Sequence, residues 1–347
     1  MRQVTLGQTG ISVPQNAFGA LPIQRITKEE AVRILRAAYE GGMRLFDTAR
    51  VYSDSEEKIG AAFGDTVFRE HRDEIVIATK TQAKTPEDFR RDLAASLEKL
   101  RTDYIDIYQF HCAQQAYAPG DGTGMYECML EAKAAGKIRH ISMSAHKIGV
   151  AVEAVKSGLY ETMQFPFSYL STEKELDLVR LCRERGVGFI AMKGLAGGLI
   201  TRSDAAMAFI SEFDNVVPIW GIQKMEELRE WLSFFENVPE PDEEKKAFIE
   251  SEKKELLGEF CRGCGYCLPC PAGIAINQCA RISLMLRRAP SEKWLTPHWQ
   301  EEMKKIENCI GCRQCVSRCP YELDTPELLK RNYEDYQKVL AGEVKVQ

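Results

Sequence analysis

The sequence has no run of about 18 apolar residues of the kind that crosses a bilayer. Its opening stretch, "MRQVTLGQTG", lacks the apolar centre of a secretory leader. Neither a membrane span nor a leader is expected, and the expected location is cytoplasmic. Basic residues are not in excess: 46 Lys and Arg face 51 Asp and Glu, leaving a net charge of -5 with no basic stripe. Phosphate backbones are held by clustered Lys and Arg, so no nucleic-acid partner is expected, nor a membrane partner. Missing too is a G-x-G-x-x-G turn after the first predicted strand, where "NAFGALPIQ" stands instead. An open doubly wound dinucleotide-binding sheet thereby loses its main sequence mark. Cysteine is scarce for most of the length, with Cys112, Cys128 and Cys182 alone before residue 261. Those three read as ordinary thiols of the fold. With 44% hydrophobic and 28% charged residues, the remainder is ordinary globular composition.

From residue 16 to about 236, short apolar strands alternate with amphipathic helical stretches. Eight strands can be read: "NAFGA", "RLFDTA", "IVIATK", "YIDIYQFH", "RHISMS", "TMQFPF", "GFIAMK" and "VVPIWG". Between them, stretches such as "KEEAVRILRAAYEGG" and "KELDLVRLCRERG" are apolar at three- and four-residue steps and end in Gly. Such alternation implies parallel strands with crossover helices. Eight repeats point to a closed (β/α)8 TIM barrel. The stretch "PEPDEEKKAFIESEKKELL" then reads as a linker and a solvated helix. The expected organisation is a barrel over residues 1–238, a linker and helix over 239–258, and a small α-helical ferredoxin-like iron-sulfur domain over 259–347, with a C-terminal helix.

In such a barrel the chemistry sits where the strands end. Strand two ends at Asp47, three at Lys80, four at His111, five at Ser144, six near Gln164 and seven at Met192, with Tyr52 in the loop after Asp47. A Tyr phenol ionises near pH 10, but a neighbouring ammonium lowers that value. Lys80 could supply the charge, with Asp47 keeping it protonated and aimed, and His111 could orient a carbonyl oxygen. Such a quartet protonates an oxygen as negative charge develops on it.

The stretch "RLFDTARVYSDSEEKIGAAF" resembles the aldo-keto reductase signature D-T-A-x-x-Y-x-x-S-E-x-x-x-G. "IVIATK" resembles that family's strand-three lysine and "YIDIYQFH" its strand-four histidine. The resemblance spans the barrel and implies Tyr52 as general acid/base, Asp47 and Lys80 as its tuning pair, His111 as the substrate-orienting residue and a nicotinamide as hydride carrier. It also implies Ser144 and Gln164 at the nicotinamide, although Ala145 stands where the family has Asn. Met192 replaces an aromatic ring there and can pack softly. Gly197, in "GLAGG", belongs to a loop able to cradle a pyrophosphate. After strand eight, Glu227 falls where an Arg commonly meets the adenosine 2'-phosphate and Trp231 where an Asn commonly reaches adenine. A carboxylate there repels a phosphate. Three readings stay open: NAD in place of NADP, which is the favoured one; Lys224 taking over at the helix N-terminus; or no firmly held dinucleotide.

Nine of the 12 cysteines lie between Cys261 and Cys319, a clustering that signals metal rather than disulfides. "CIGCRQCVSRCP", Cys309 to Pro320, has the C-x2-C-x2-C-x3-C-P spacing of bacterial ferredoxins. "CRGCGYCLPCP", Cys261 to Pro271, differs by one gap before Cys270. Zinc sites usually pair two separated C-x2-C knuckles; three cysteines at successive three-residue steps suit an iron-sulfur cube. In two-cluster ferredoxins the fourth Cys of each run ligates the other cluster. On that pattern Cys261, Cys264, Cys267 and Cys319 hold one 4Fe-4S cluster, and Cys309, Cys312, Cys315 and Cys270 the other. Cys279 reads as packed.

Barrel and cysteine domain in this order resemble a subset of aldo-keto reductases with a C-terminal 4Fe-4S domain. The expected function is oxidoreduction of a small-molecule carbonyl or alcohol, with the clusters passing electrons to a ferredoxin- or flavodoxin-type partner. Two other readings remain: an electron-transfer protein using the barrel as scaffold, and a lyase or isomerase using the same quartet without net redox.

Overall fold

The computed structural model describes residues 1–65, 67–256, 260–288 and 291–346. By their internal contacts these fall into two compact units, one of Met1–Gly194 with Ser203–Lys246, the other of Leu195–Arg202 with Ala247–Gln347. The division cuts the helix Glu243–Leu256 at residue 246. The sequence-based boundary at 258 and 259 lies outside the described residues.

The first unit opens on a hairpin, β1 (Gln3–Thr5) and β2 (Ser12–Pro14), that the strand pattern did not include. Eight parallel strands follow: β3 (Ala17–Gly19), β4 (Leu45–Asp47), β5 (Val76–Thr81), β6 (Ile105–Phe110), β7 (Ile138–Ser144), β8 (Thr162–Pro166), β9 (Gly188–Met192) and β10 (Val216–Gly221). Each pairs with the next and β10 returns to β3, closing the barrel. Six fall within the stretches read as strands, and β5 and β7 extend one residue beyond theirs, to Thr81 and from Ile138.

Period-two alternation decides what fills the barrel. Leu45, Val76, Ala78, Ile107, Ile190, Val217 and Ile219 form one buried cluster with Val4, Leu6 and Val13 from the hairpin segment. The hairpin thus packs where the strands begin. Two steps further along the same parity stand Asp47, Lys80, Gln109 and Met192, at the ends where the strands stop. One alternation supplies both the apolar floor and the polar rim.

The helices begin where sequence chemistry says they should. Thr27 and Glu30 form a capping box for Lys28–Glu40, and Thr172 and Glu175 do the same for Glu173–Arg185, which Gly186 ends in a left-handed turn. Pro86 opens Pro86–Leu100 behind a Thr85 cap. Gly60 is required by contact: a Cβ there would meet the Lys99 carbonyl at 2.1 Å. Only glycine lets the helix Ser55–Phe63 lie this close to its neighbour.

In the second unit, Glu243–Leu256 is less solvated than its charge run implies, since Ile249, Glu252 and Leu256 are buried. Around Cys279 two short helices, Ile276–Cys279 and Ile282–Arg288, meet at Ala280 and Arg281. The C-terminal helix Thr325–Leu340 docks through Asn332, whose amide donates to the Ala280 carbonyl while its oxygen accepts from the Ser283 amide.

Candidate functional site

The floor of the barrel site is an ion pair. Lys80 Nζ donates to Asp47 Oδ1 at 2.6 Å and to the Thr48 carbonyl at 2.6 Å, and both side chains are buried. Two amides complete the carboxylate's surroundings: Gln109 Nε2 is 3.4 Å from Oδ2, and Gln164 Nε2 is 3.4 Å from Oδ1. Gln109 also donates to Gln164 Oε1 at 2.8 Å. Burial pushes the Asp47 carboxyl above its ordinary range, while the Lys80 ammonium and the two amides pull it back. At this separation Lys80 and Asp47 form an ion pair.

Tyr52 is placed by a loop that extends the strand ladder. Thr48 and Arg50 donate their amides to the Ala78 and Lys80 carbonyls, and the Tyr52 amide reaches the Ala49 carbonyl. Behind the loop, buried Glu56 accepts from Thr79, Ser96 and Arg50, each at 2.7 Å. The Ser-Glu of the signature is therefore a brace. Tyr52 meets His111 edge to face, ring centroids 5.6 Å apart, and Lys80 Nζ lies 5.5 Å from the Tyr52 ring centre. The four residues read from the strand ends converge.

The electrostatics differ from expectation at one point. The Tyr52 phenol is held well above its ordinary value, first by burial and then by the charges of Asp47 and Cys112. The expected lowering by Lys80 is not seen, because Asp47 and the Thr48 carbonyl already engage that ammonium. The His111 ring is pushed down to about 3, by burial first and then by Lys80. Its Nδ1 is buried without a hydrogen-bond partner. Tyr52 thus carries its proton, and His111 is neutral, throughout the physiological range.

The Ser144 hydroxyl accepts from the Cys112 amide at 2.9 Å. Ala145, in place of the family's Asn, is fully buried. Met192 packs beside the barrel's apolar cluster. Gln109 and Cys112 were missed in the strand-end reading. Gln109 had a signal, since it stands two positions before His111 and so shares its face of β6. Cys112, read as an ordinary thiol, adjoins Tyr52 with a left-handed backbone at φ 52°.

The residues after β10 have structural duties. Glu227 Oε2 accepts the amides of Gln223 at 2.9 Å and Lys224 at 3.0 Å, capping the helix Met225–Ser233. Lys224 is exposed. Trp231 is buried and stacks on Trp220 at 3.9 Å, so it is a core residue. Gly197 lies in Leu195–Arg202, a segment of the second unit, and its carbonyl accepts from Arg281 Nη2 at 2.8 Å.

The cysteines of the second unit line two cavities. One is bordered by Cys261, Cys264, Cys267 and Cys319. The other is bordered by Cys270, Cys309, Cys312 and Cys315, with Cys267 also touching it. Cys270 is on the second cavity and Cys319 on the first, each away from most of its own run. Two sets of soft sulfur donors around such spaces fit iron-sulfur clusters. Cys279 is on neither; it is buried and its thiol points to the Glu302 carbonyl at 3.9 Å.

The comparisons agree with this division. Residues 260–324 match the model of the 4Fe-4S dicluster domain, so the second unit is an iron-sulfur domain. Among curated proteins, an uncharacterized oxidoreductase of Bacillus subtilis, YrpG, is 31% identical over 228 residues, 58% of this chain and 68% of its own length. The NADH-specific methylglyoxal reductase of Escherichia coli is 26% identical over 231 residues, 58% of this chain and 69% of its own. The chain spans about two thirds of the length of such relatives. An aldo-keto reductase from Bacillus halodurans, in its holo form, superposes with a TM-score of 0.62 at 23% identity, covering 73% of this chain and 96% of that one; that likeness concerns the fold. No helix among the described residues is long and apolar enough to cross a membrane. Residues 15–233, more than half of the sequence, match the model of the Aldo/keto reductase family, and the chain belongs to that family.

Proposed function

We propose that the barrel interconverts a small carbonyl and its alcohol, with Tyr52 as the proton donor and acceptor. The observation that carries this reading is the meeting of a protonated phenol and a neutral imidazole above a buried Lys-Asp pair. His111 offers a ring N–H to the carbonyl oxygen and orients it. As negative charge grows on that oxygen, Tyr52 gives up its proton, and the Lys80 ammonium stabilises the phenolate left behind. Asp47 keeps Lys80 charged and in place. A nicotinamide, when bound, would supply the hydride that joins the Tyr52 proton in converting the carbonyl to the alcohol. Ser144, Gln164 and Met192 are the residues that would hold its ring.

NAD is the favoured dinucleotide. Glu227 takes up the amides at the helix N-terminus where an adenosine phosphate would otherwise find donors, and one relative is named NADH-specific. Lys224, exposed beside it, is the alternative phosphate contact, and Gly197 is the weakest of the proposed cofactor contacts because its carbonyl is engaged by Arg281. In the second unit, Cys261, Cys264, Cys267 and Cys319 hold one 4Fe-4S cluster, and Cys270, Cys309, Cys312 and Cys315 a second. These serve one-electron exchange with a ferredoxin- or flavodoxin-type partner.

Anaerobically prepared protein titrated with NADH and with NADPH, followed by fluorescence, is expected to bind NADH more tightly. Tyr52→Phe should cost on the order of 10²–10⁴ in turnover and leave nucleotide affinity nearly unchanged. Full turnover in that variant removes Tyr52 as the proton donor. Reversible cluster reduction without binding of either nucleotide would replace this reading with that of an electron carrier on a barrel scaffold.

A further inference from the structure

Arg281 stands between the helices Ile276–Cys279 and Ile282–Arg288 and is only 6% exposed. Its Nη2 donates to the Gly197 carbonyl at 2.8 Å and lies 3.5 Å from Met285 Sδ, while its Nε is buried without a partner. Among the described residues no carboxylate pairs with it. A buried guanidinium without an anion costs several kcal/mol, so the nearest source of negative charge is informative. Gly263 packs against it so closely that a Cβ there would fall 2.6 Å from Arg281 Nη1. The amide of Gly263 in turn donates to Cys261 Sγ at 3.4 Å. Cys261 and Arg281 also act on each other electrostatically. The unpaired positive charge therefore adjoins the cavity of Cys261, Cys264, Cys267 and Cys319.

Among the described residues the second cavity has no equivalent. Arg313 borders it, but its side chain is 59% exposed and paired with Asp324 at 3.2 Å. Water and the carboxylate screen its charge.

We propose that Arg281 is the built-in counter-charge of the cluster held by Cys261, Cys264, Cys267 and Cys319, and that it raises the reduction potential of that cluster above the value its thiolates and burial would otherwise set. Each one-electron reduction adds one negative charge, and no proton, to a group that four thiolates already make anionic. Net charge, hydrogen bonds to sulfur and solvent exposure set such potentials. A buried guanidinium stabilises the added charge, whereas the exposed cluster of Cys309 receives no comparable help.

The proposal rests on the two-cluster reading above, and its test separates the two. Whole protein with its clusters, titrated anaerobically with dithionite and followed by electron paramagnetic resonance, reports each midpoint. Arg281→Gln keeps an N–H for the Gly197 carbonyl and removes the charge. It should make reduction of one cluster at least tenfold less favourable, about 59 mV for a one-electron couple, and leave the other unmoved. Arg281→Lys should restore most of the difference. If the Gln variant does not fold, Arg281→Met is read in the same way. Unmoved midpoints with iron near eight per chain overturn the role of Arg281 and leave both clusters standing. A Lys variant shifted as far as the Gln variant overturns it too, since only the planar hydrogen bonds would then matter. Iron near four per chain, with no signal that Cys261→Ser abolishes, overturns both.

Discussion

The two units treat their buried charges in opposite ways. In the barrel each buried charge near the site finds a partner within the chain: Asp47 has Lys80 and two amides, and Glu56 has Thr79, Ser96 and Arg50. In the second unit, eight cysteines surround two cavities and Arg281 keeps a buried donor unpartnered. Two of its helices, Ile276–Cys279 and Gln314–Ser317, are only four residues long. Segments of that length are not stable by themselves. The charges at the barrel site are thus met within the chain, whereas the second unit gathers eight cysteines around two cavities and leaves a buried guanidinium without a carboxylate.

That contrast is broken most forcefully by removing iron. Chelation under oxidising conditions should unfold the second unit and spare the barrel, read by hydrogen exchange as loss of protection over residues 260–346 with the barrel strands retained. Equal loss in both would erase the distinction. Within that unit, Cys270→Ser should remove mainly the cluster of Cys309 and about half of the iron, because Cys270 borders that cavity. In the barrel, Lys80→Met strands the buried Asp47 carboxylate and should cost about 3–5 kcal/mol of barrel stability, measured by denaturant titration. Asp47→Asn in the same background should recover part of it. A Lys80→Met variant as stable as the parent would mean that the pair is not holding the site. The smallest effect is at Glu227→Ala. Loss of its two amide contacts should cost about 1 kcal/mol and narrow the preference for NADH over NADPH.

Much of the barrel was legible because its signals are periodic. Alternation of strands and helices, and of apolar and polar residues within each strand, survives in one dimension. Asp47, Lys80 and His111 could be read from strand ends for that reason, and Gln109 could have been found by the same step of two. Glu227 shows what one dimension hides: beside the charge it carries, its carboxylate oxygen serves two backbone amides at the start of the last barrel helix. The Tyr52 phenol is a second case, because the count of nearby charges favoured lowering while burial decided the direction.

The amino-acid order alone determined the eight-stranded barrel, the quartet of Asp47, Tyr52, Lys80 and His111 at its strand ends and the two cysteine runs, since each is encoded in spacing along one element or one loop. Tertiary structure alone decided that Leu195–Arg202 joins the second unit, and that Arg281 lies buried beside Cys261. These facts depend on desolvation and on contacts between residues up to 84 positions apart, as for Gly197 and Arg281. Neither burial nor such contacts leave a local pattern in a sequence.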